Sequence, residues 1–225
     1  MDERTDLDEA GRVRHRYHVE GEILQGESVV FSEGGQMLRK EQYRDGKPDG
    51  EWTAWSAEGW VAQRGRYKEG LLDGELTQYD AVGRVEARLP YRAGKLDGHA
   101  LYFEKGQPQL KQHFVAGVAD GEMILYGPHG HPSAKFTYTA GKLNGKAFWY
   151  RPDGSLLRTA HYLDGELDGE AIDYDERGRV VEKSTYRTDK LDGPLLRYGR
   201  DGKLRETIHY KGGKLVEQQQ PAARR

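Results

Sequence analysis

Short runs of alternating apolar and polar residues recur along the whole chain. Examples are EWTAW at Glu51–Trp55, ELTQY at Glu75–Tyr79 and KAFWY at Lys146–Tyr150. Each ends on an aromatic residue. One set of alternate positions carries Thr53 and Trp55, Thr77 and Tyr79, Leu101 and Phe103, Ile124 and Tyr126, Phe148 and Tyr150, Ile172 and Tyr174, then Leu196 and Tyr198. A period of two with β-branched and aromatic residues predicts a strand. A glycine soon follows each run: Gly59, Gly83, Gly106, Gly130, Gly154, Gly178 and Gly202. Two residues later a second run opens, at Val61, Val85, Pro108, Pro132, Leu156, Val180 and Leu204. Each such unit predicts a β-hairpin, and glycine every few residues opposes helix.

The hairpins repeat with a fixed period. Their leading aromatics are Tyr17, Tyr43, Tyr67, Tyr91, Phe114, Tyr138, Tyr162, Tyr186 and Tyr210, spaced by 26, 24, 24, 23, 24, 24, 24 and 24 residues. The unit reads Y-x-x-G-K-L-D-G-E-x-x-x-Y-x-x-x-G-x-L. Such a period sets the architecture before any other reading. The expected fold is all-β: an elongated single-layer antiparallel meander of about eight units of 24 residues. Neighbouring strands lie about 4.8 Å apart, so each two-stranded unit advances the sheet by roughly 10 Å. Residues 1–16 are expected to form a partial repeat or cap, with Gly11–Val13 as a second strand lacking its first. Residues 17–209 form the array, and 210–225 a truncated repeat with a mobile tail.

Composition agrees with a thin array. The apolar fraction is 36%, and the 30 glycines raise it to about 49%, so glycine rather than aliphatic bulk fills the total. Repeats that touch only their neighbours need little more. A net charge of −2 gives no general attraction to nucleic acid. The absence of cysteine excludes disulfides and thiolate metal sites. No apolar run is long enough to predict a membrane-spanning helix, and the acidic start MDERTDLDEAG does not read as a signal peptide.

The motif Y-x-x-G-K-L-D-G-E with its following G-x-L resembles the variant MORN repeat of bacterial proteins, over residues 11 to 215. Departures are Asp189 for glycine, Phe114 for tyrosine, and His99, Lys146 and Pro194 for glutamate. The resemblance implies a binding protein of the antitoxin or immunity kind. Its protein partner would be a secreted bacterial toxin or effector, such as a type VI secretion phospholipase. The alternative it implies is a membrane- or phospholipid-associated scaffold. It also implies a bacterial cytoplasmic protein if the chain is complete, or a periplasmic one if a leader has been removed, with the periplasm favoured.

Catalytic chemistry finds no support in the motifs. G-x-S-x-G, the P-loop, G-x-G-x-x-G and H-E-x-x-H are all missing from the sequence. Asp49, Asp73, Asp97, Asp120, Asp168 and Asp192 each precede a turn glycine and read as turn residues. Glu51, Glu75, Glu122 and Glu170 recur about 10 Å apart, too far for a shared proton. His113, His161 and His209 stand two units apart, about 19 Å, and cannot share a metal ion. The expectation is therefore no enzyme, no cofactor and no metal.

A binding surface is the remaining candidate. Opposite the Thr53 and Trp55 row lie Trp52 and Ala54, Leu76 and Gln78, Ala100 and Tyr102, Met123 and Leu125, Ala147 and Trp149. A solvated face would be polar; here large apolar groups persist through the middle units, then fade to Asp173 and Arg197. Counting from each turn glycine assigns Lys40, Arg64, Arg88, Lys111, Lys135 and Lys183 to the same face. Trp52, Trp60, Arg64, Arg88, Tyr102, Lys111, Leu125, Lys135 and Trp149 are thus the expected partner-binding residues. Aromatic anchors with cations fit a protein partner, with weak phospholipid contact as the lesser option and nucleic acid disfavoured by net charge.

Overall fold

The computed structural model describes residues 1–219. All of its strands join one open antiparallel sheet that meanders in chain order, and no helix occurs among the described residues. The expected all-β repeat architecture is what forms. Two compact units divide the chain: Met1–Pro108 with Phe114–Gly117, and Gln109–His113 with Val118 onward.

A repeat of the first unit illustrates the local rules. Gly50–Trp55 pairs with Val61–Lys68, and Gly74–Tyr79 pairs with Val85–Arg92. The chain reverses between hairpins through a two-residue turn, Glu69-Gly70, with both residues left-handed at φ 51° and 85°. A mirror-image turn of this kind matches the twist of the flanking strands. Leu71–Leu72 then pairs back on Tyr67 and Lys68. The Asp73-Gly74 step follows, with Gly74 also left-handed at φ 114°; at the equivalent Gly50, φ 131°, a Cβ would lie 2.8 Å from Gln42 Cβ. Only glycine fits such a crowded left-handed position.

The aspartate before that glycine has a second task. Its carboxylate accepts the backbone N–H of the left-handed turn residue one repeat ahead. Asp49 accepts from Glu69 at 3.1 Å, Asp73 from Ala93 at 3.2 Å, Asp120 from Ala140 at 3.0 Å and Asp168 from Thr188 at 3.3 Å. The Asp-Gly step is thus an inter-repeat stitch as well as a turn. Two members of the histidine column are explained nearby: Nδ1 of His161 donates to the Asp168 carbonyl at 2.9 Å, and Nδ1 of His113 donates to the Asp120 carbonyl.

The core of the first unit contains Trp52, Leu76, Ala87, Leu89 and Ala100, packed by Tyr67, Leu72, Tyr91, Leu96, Tyr102 and Phe114. The leading aromatic and the leucine of each Y-x-x-G-x-L step therefore cover one face. In the second unit the same face carries the cross-strand row Ala147, Ala160, Ala171, Ser184, Leu195 and Ile208, all buried. Small residues suit positions that neighbouring tyrosines overlie.

At the amino end, Asp2–Leu7 pairs with Val13–Glu20. The second strand at Gly11–Val13 therefore has its first, which the acidic composition of DERTDL concealed. Lys214–Gln219 pairs with Leu204–Lys211 and is exposed throughout. The expectation of a mobile tail from residue 220 lies outside the described residues.

Candidate binding face

The structure separates the residues that the sequence placed together. Each hairpin contains a bulge. Ala54 faces Gln63 and Trp55 faces Val61, so Ala62 is an extra residue. The same shift leaves Leu157 and Val181 unmatched, and both point to solvent, 41% and 37% exposed. A one-residue insertion transfers every following side chain to the other face. Arg64 consequently faces Thr53 and Thr77, and Arg88 faces Thr77 and Leu101. Lys135 faces Ile124 and Phe148. Lys111 alternates with Gln112, which is buried.

Two corrections follow. The cations share a face with the Thr53 row, and the apolar columns at Trp52 and Leu76 form the packed side of the sheet. Trp52 is only 5% exposed and is a core residue, not a docking anchor. Tyr102 lies on the same side, half-buried against that core, and burial with the neighbouring Tyr91 raises its pKa. Leu125 lies opposite the buried Ala134. Trp149 stands edge-on to Phe136, with centroids 5.5 Å apart. Trp60 sits at a hairpin end, where its carbonyl accepts the Ser56 N–H at 2.8 Å. By strand position Trp52, Tyr102, Leu125 and Trp149 lie on the face opposite Arg64, Arg88 and Lys135.

The core side of the first unit holds a charged cluster that sequence reasoning missed. Glu41, nearly buried, accepts from Arg39 at 3.0 Å and from the Tyr43 hydroxyl at 2.9 Å. The Arg39 guanidinium lies 4.8 Å from the Trp52 ring centroid. Burial, then the Glu41 hydrogen bond, pushes the Tyr43 hydroxyl up to about 12. The cluster satisfies a buried carboxylate, as burial of charge requires. The signal available was R-x-E-x-Y, three polar residues at period two on the face that becomes the core.

On the cation face the electrostatics are uneven. Lys40 pairs with Glu27 at 2.7 Å and Lys183 with Glu170 at 3.5 Å. Arg64, Arg88, Lys111 and Lys135 have no ion pair or hydrogen bond among the described residues. Equivalent concavities open on this face in both units. One, of about 360 Å³, is lined by Glu51, Thr53, Arg64, Arg66, Glu75, Thr77 and Tyr79, together with Trp52 and Gly65. Its repeat-equivalent, of about 440 Å³, is lined by Lys146, Phe148, Thr159, His161, Glu170, Ile172 and Tyr174, with Leu156 and Ala160. The first is charged, the second apolar with a charged rim.

The model of the family described as MORN repeat variant matches residues 143–164 and 191–211, each running from a turn leucine through the following hairpin. These matches support a MORN-repeat protein. No curated protein matches the sequence. Among solved structures, the chain is similar to part of a TcdB2-TccC3-Cdc42 structure at 15% identity and a TM-score of 0.22, covering 94% of this chain and 12% of that one. It is also similar to part of the Photorhabdus luminescens Tc holotoxin pore at 14% identity and a TM-score of 0.24, covering 92% of this chain and 14% of that one. The chain spans about one eighth of the length of those chains. Likeness at such scores carries no argument about this chain.

Proposed function

We propose that this chain is a non-catalytic binding protein whose cation-bearing face docks a protein partner. MORN repeats generally mediate binding to proteins or membranes. The observation that carries the reading is a set of cations with no partner among the described residues, Arg64 and Arg88 in the first unit and Lys111 and Lys135 in the second, whose cross-strand neighbours include Thr53, Thr77, Leu101, Ile124 and Phe148. Arginines beside apolar groups are the usual composition of interface hot spots. An acidic, partly apolar surface complements it.

The sequence resemblance supplies the kind of partner: a secreted bacterial toxin, such as a phospholipase effector, which this protein would occlude as its immunity protein. Co-purification with the product of the neighbouring gene tests this. A complex at micromolar concentration is expected, and its absence would remove the toxin-neutralising reading.

The same cations also favour a second reading, attachment to an anionic membrane, since a basic row is drawn to anionic headgroups. Flotation with phosphatidylglycerol vesicles, abolished by salt, would support it.

A further inference from the structure

The second unit contains two departures from the repeat that meet at one place. Lys146 stands where glutamate occupies five other repeats, at Glu27, Glu51, Glu75, Glu122 and Glu170. Two residues on, Phe148 is the one phenylalanine in the series Thr53, Thr77, Leu101, Ile124, Phe148, Ile172 and Leu196. Both line the concavity of about 440 Å³. Its floor is Phe148, Leu156, Ile172 and Tyr174. Strand register sets Phe148 and Ile172 on either side of Thr159, with Leu156 opposite Tyr150.

The rim is positive. Glu170 is matched by Lys183 at 3.5 Å. Lys146 has no carboxylate partner among the described residues, and neither has Lys135, which lies across from Phe148 on the neighbouring strand. Nδ1 of His161 is engaged with the Asp168 carbonyl, which aims the rest of the ring outward along the same rim. An apolar floor beside unmatched ammonium groups selects a ligand with both characters.

We infer that this groove is the anchor pocket for the protein partner, taking an apolar side chain that is flanked by a carboxylate on the partner's surface. This rests on the protein-binding reading above. Charge complementarity selects the occupant: the ammonium of Lys146 calls for an anion, and the half-buried Phe148 and Ile172 call for apolar cover. The equivalent groove of the first unit has Glu51 and Thr53 in place of Lys146 and Phe148, so a carboxylate stands opposite Arg66 in strand register and the apolar floor is missing.

The test uses two dyes that share their fused and phenyl rings. One is 8-anilinonaphthalene-1-sulfonate, which carries an anion; the other is neutral N-phenyl-1-naphthylamine. The full chain should bind the sulfonate with one-to-one stoichiometry and more tightly than the neutral dye. Lys146→Glu restores the residue of other repeats at an exposed site. It should weaken the sulfonate about tenfold, the loss of one charge-assisted contact, and leave the neutral dye unchanged. Phe148→Leu should weaken both, with the folding transition as a control. Unchanged sulfonate affinity in Lys146→Glu would overturn the proposal. So would flotation on phosphatidylglycerol vesicles that Lys146→Glu abolishes, because the occupant would then be lipid. If Lys146→Glu and Phe148→Leu hold the neighbouring gene's product as well as the unmodified chain does, protein binding stands and the groove is excluded.

Discussion

The Asp73 carboxylate accepts the backbone N–H of Ala93, twenty residues further along the chain, at 3.2 Å. Ala93 occupies a left-handed turn at φ 47°. The bond ties one repeat to the tip of the next. Asp73→Ala should therefore lower stability by about 1 kcal/mol, the typical worth of one such bond. Asp73→Asn keeps an acceptor oxygen and should recover most of that loss. Urea unfolding of both variants checks the stitch, and an Asp73→Ala variant as stable as the unmodified chain would contradict it.

Gly65 lies under Trp52. A Cβ at Gly65 would approach Trp52 Nε1 to 2.8 Å and Leu76 Cδ1 to 3.3 Å. Glycine weakens a strand, so Gly65→Ala would ordinarily stabilise one. Here the expected result is the reverse, a loss of about 1–3 kcal/mol from overpacking. Trp52→Leu makes room, and the double variant should show favourable coupling of about 0.5–3 kcal/mol in a double-mutant cycle. Trp52 Nε1 is buried without a hydrogen-bond partner among the described residues, so its removal leaves no orphaned donor.

Thr188 is a β-branched residue at φ 47°. Left-handed backbone is unfavourable for such residues and tolerated by asparagine. Thr188→Asn retains the N–H that Asp168 accepts. A gain of about 0.5–1 kcal/mol is expected, a fraction of the usual left-handed penalty. Thermal unfolding reads it directly, and a decrease would contradict the turn geometry.

Asp175 opens a hairpin turn of the form D-x-x-G-R. The Arg179 side chain binds it at 2.8 Å and the backbone N–H of Arg179 at 2.9 Å. Those two hydrogen bonds, the side-chain one first, lower its carboxyl to about 2. The folded value lies below the unfolded one, near 3.8. Its stabilising contribution is thus complete above 3.8 and disappears as pH falls through about 2. Carbon-detected NMR titration should show the low value, and Arg179→Ala should move it upward.

Much of the fold was legible because local chemistry repeats it. The leading tyrosines, the left-handed turn glycines and the period-two runs each appear many times, so single lapses such as Asp189 did not obscure the hairpins. The faces were not legible. Ala62 and its equivalents insert one residue after each turn, and nothing in their chemistry marks them as bulges. Parity counted across the bulge put Arg64 beside Trp52, whereas hydrogen-bond register puts it opposite Thr53. The cations were picked out by their recurrence at one position of the repeat. Trp52 and Tyr102, chosen with them, are apolar because they pack the core.

The central claim is that the cation face docks a protein. Isothermal titration of the full chain against the neighbouring gene's product tests it most directly, comparing the unmodified protein with Arg64→Glu/Arg88→Glu. Both arginines are exposed and unpaired among the described residues, so folding should be retained. The account predicts micromolar or tighter binding that the double reversal weakens by about tenfold or more, the scale of lost hot-spot contacts. Tight binding that the reversal leaves unchanged would contradict it.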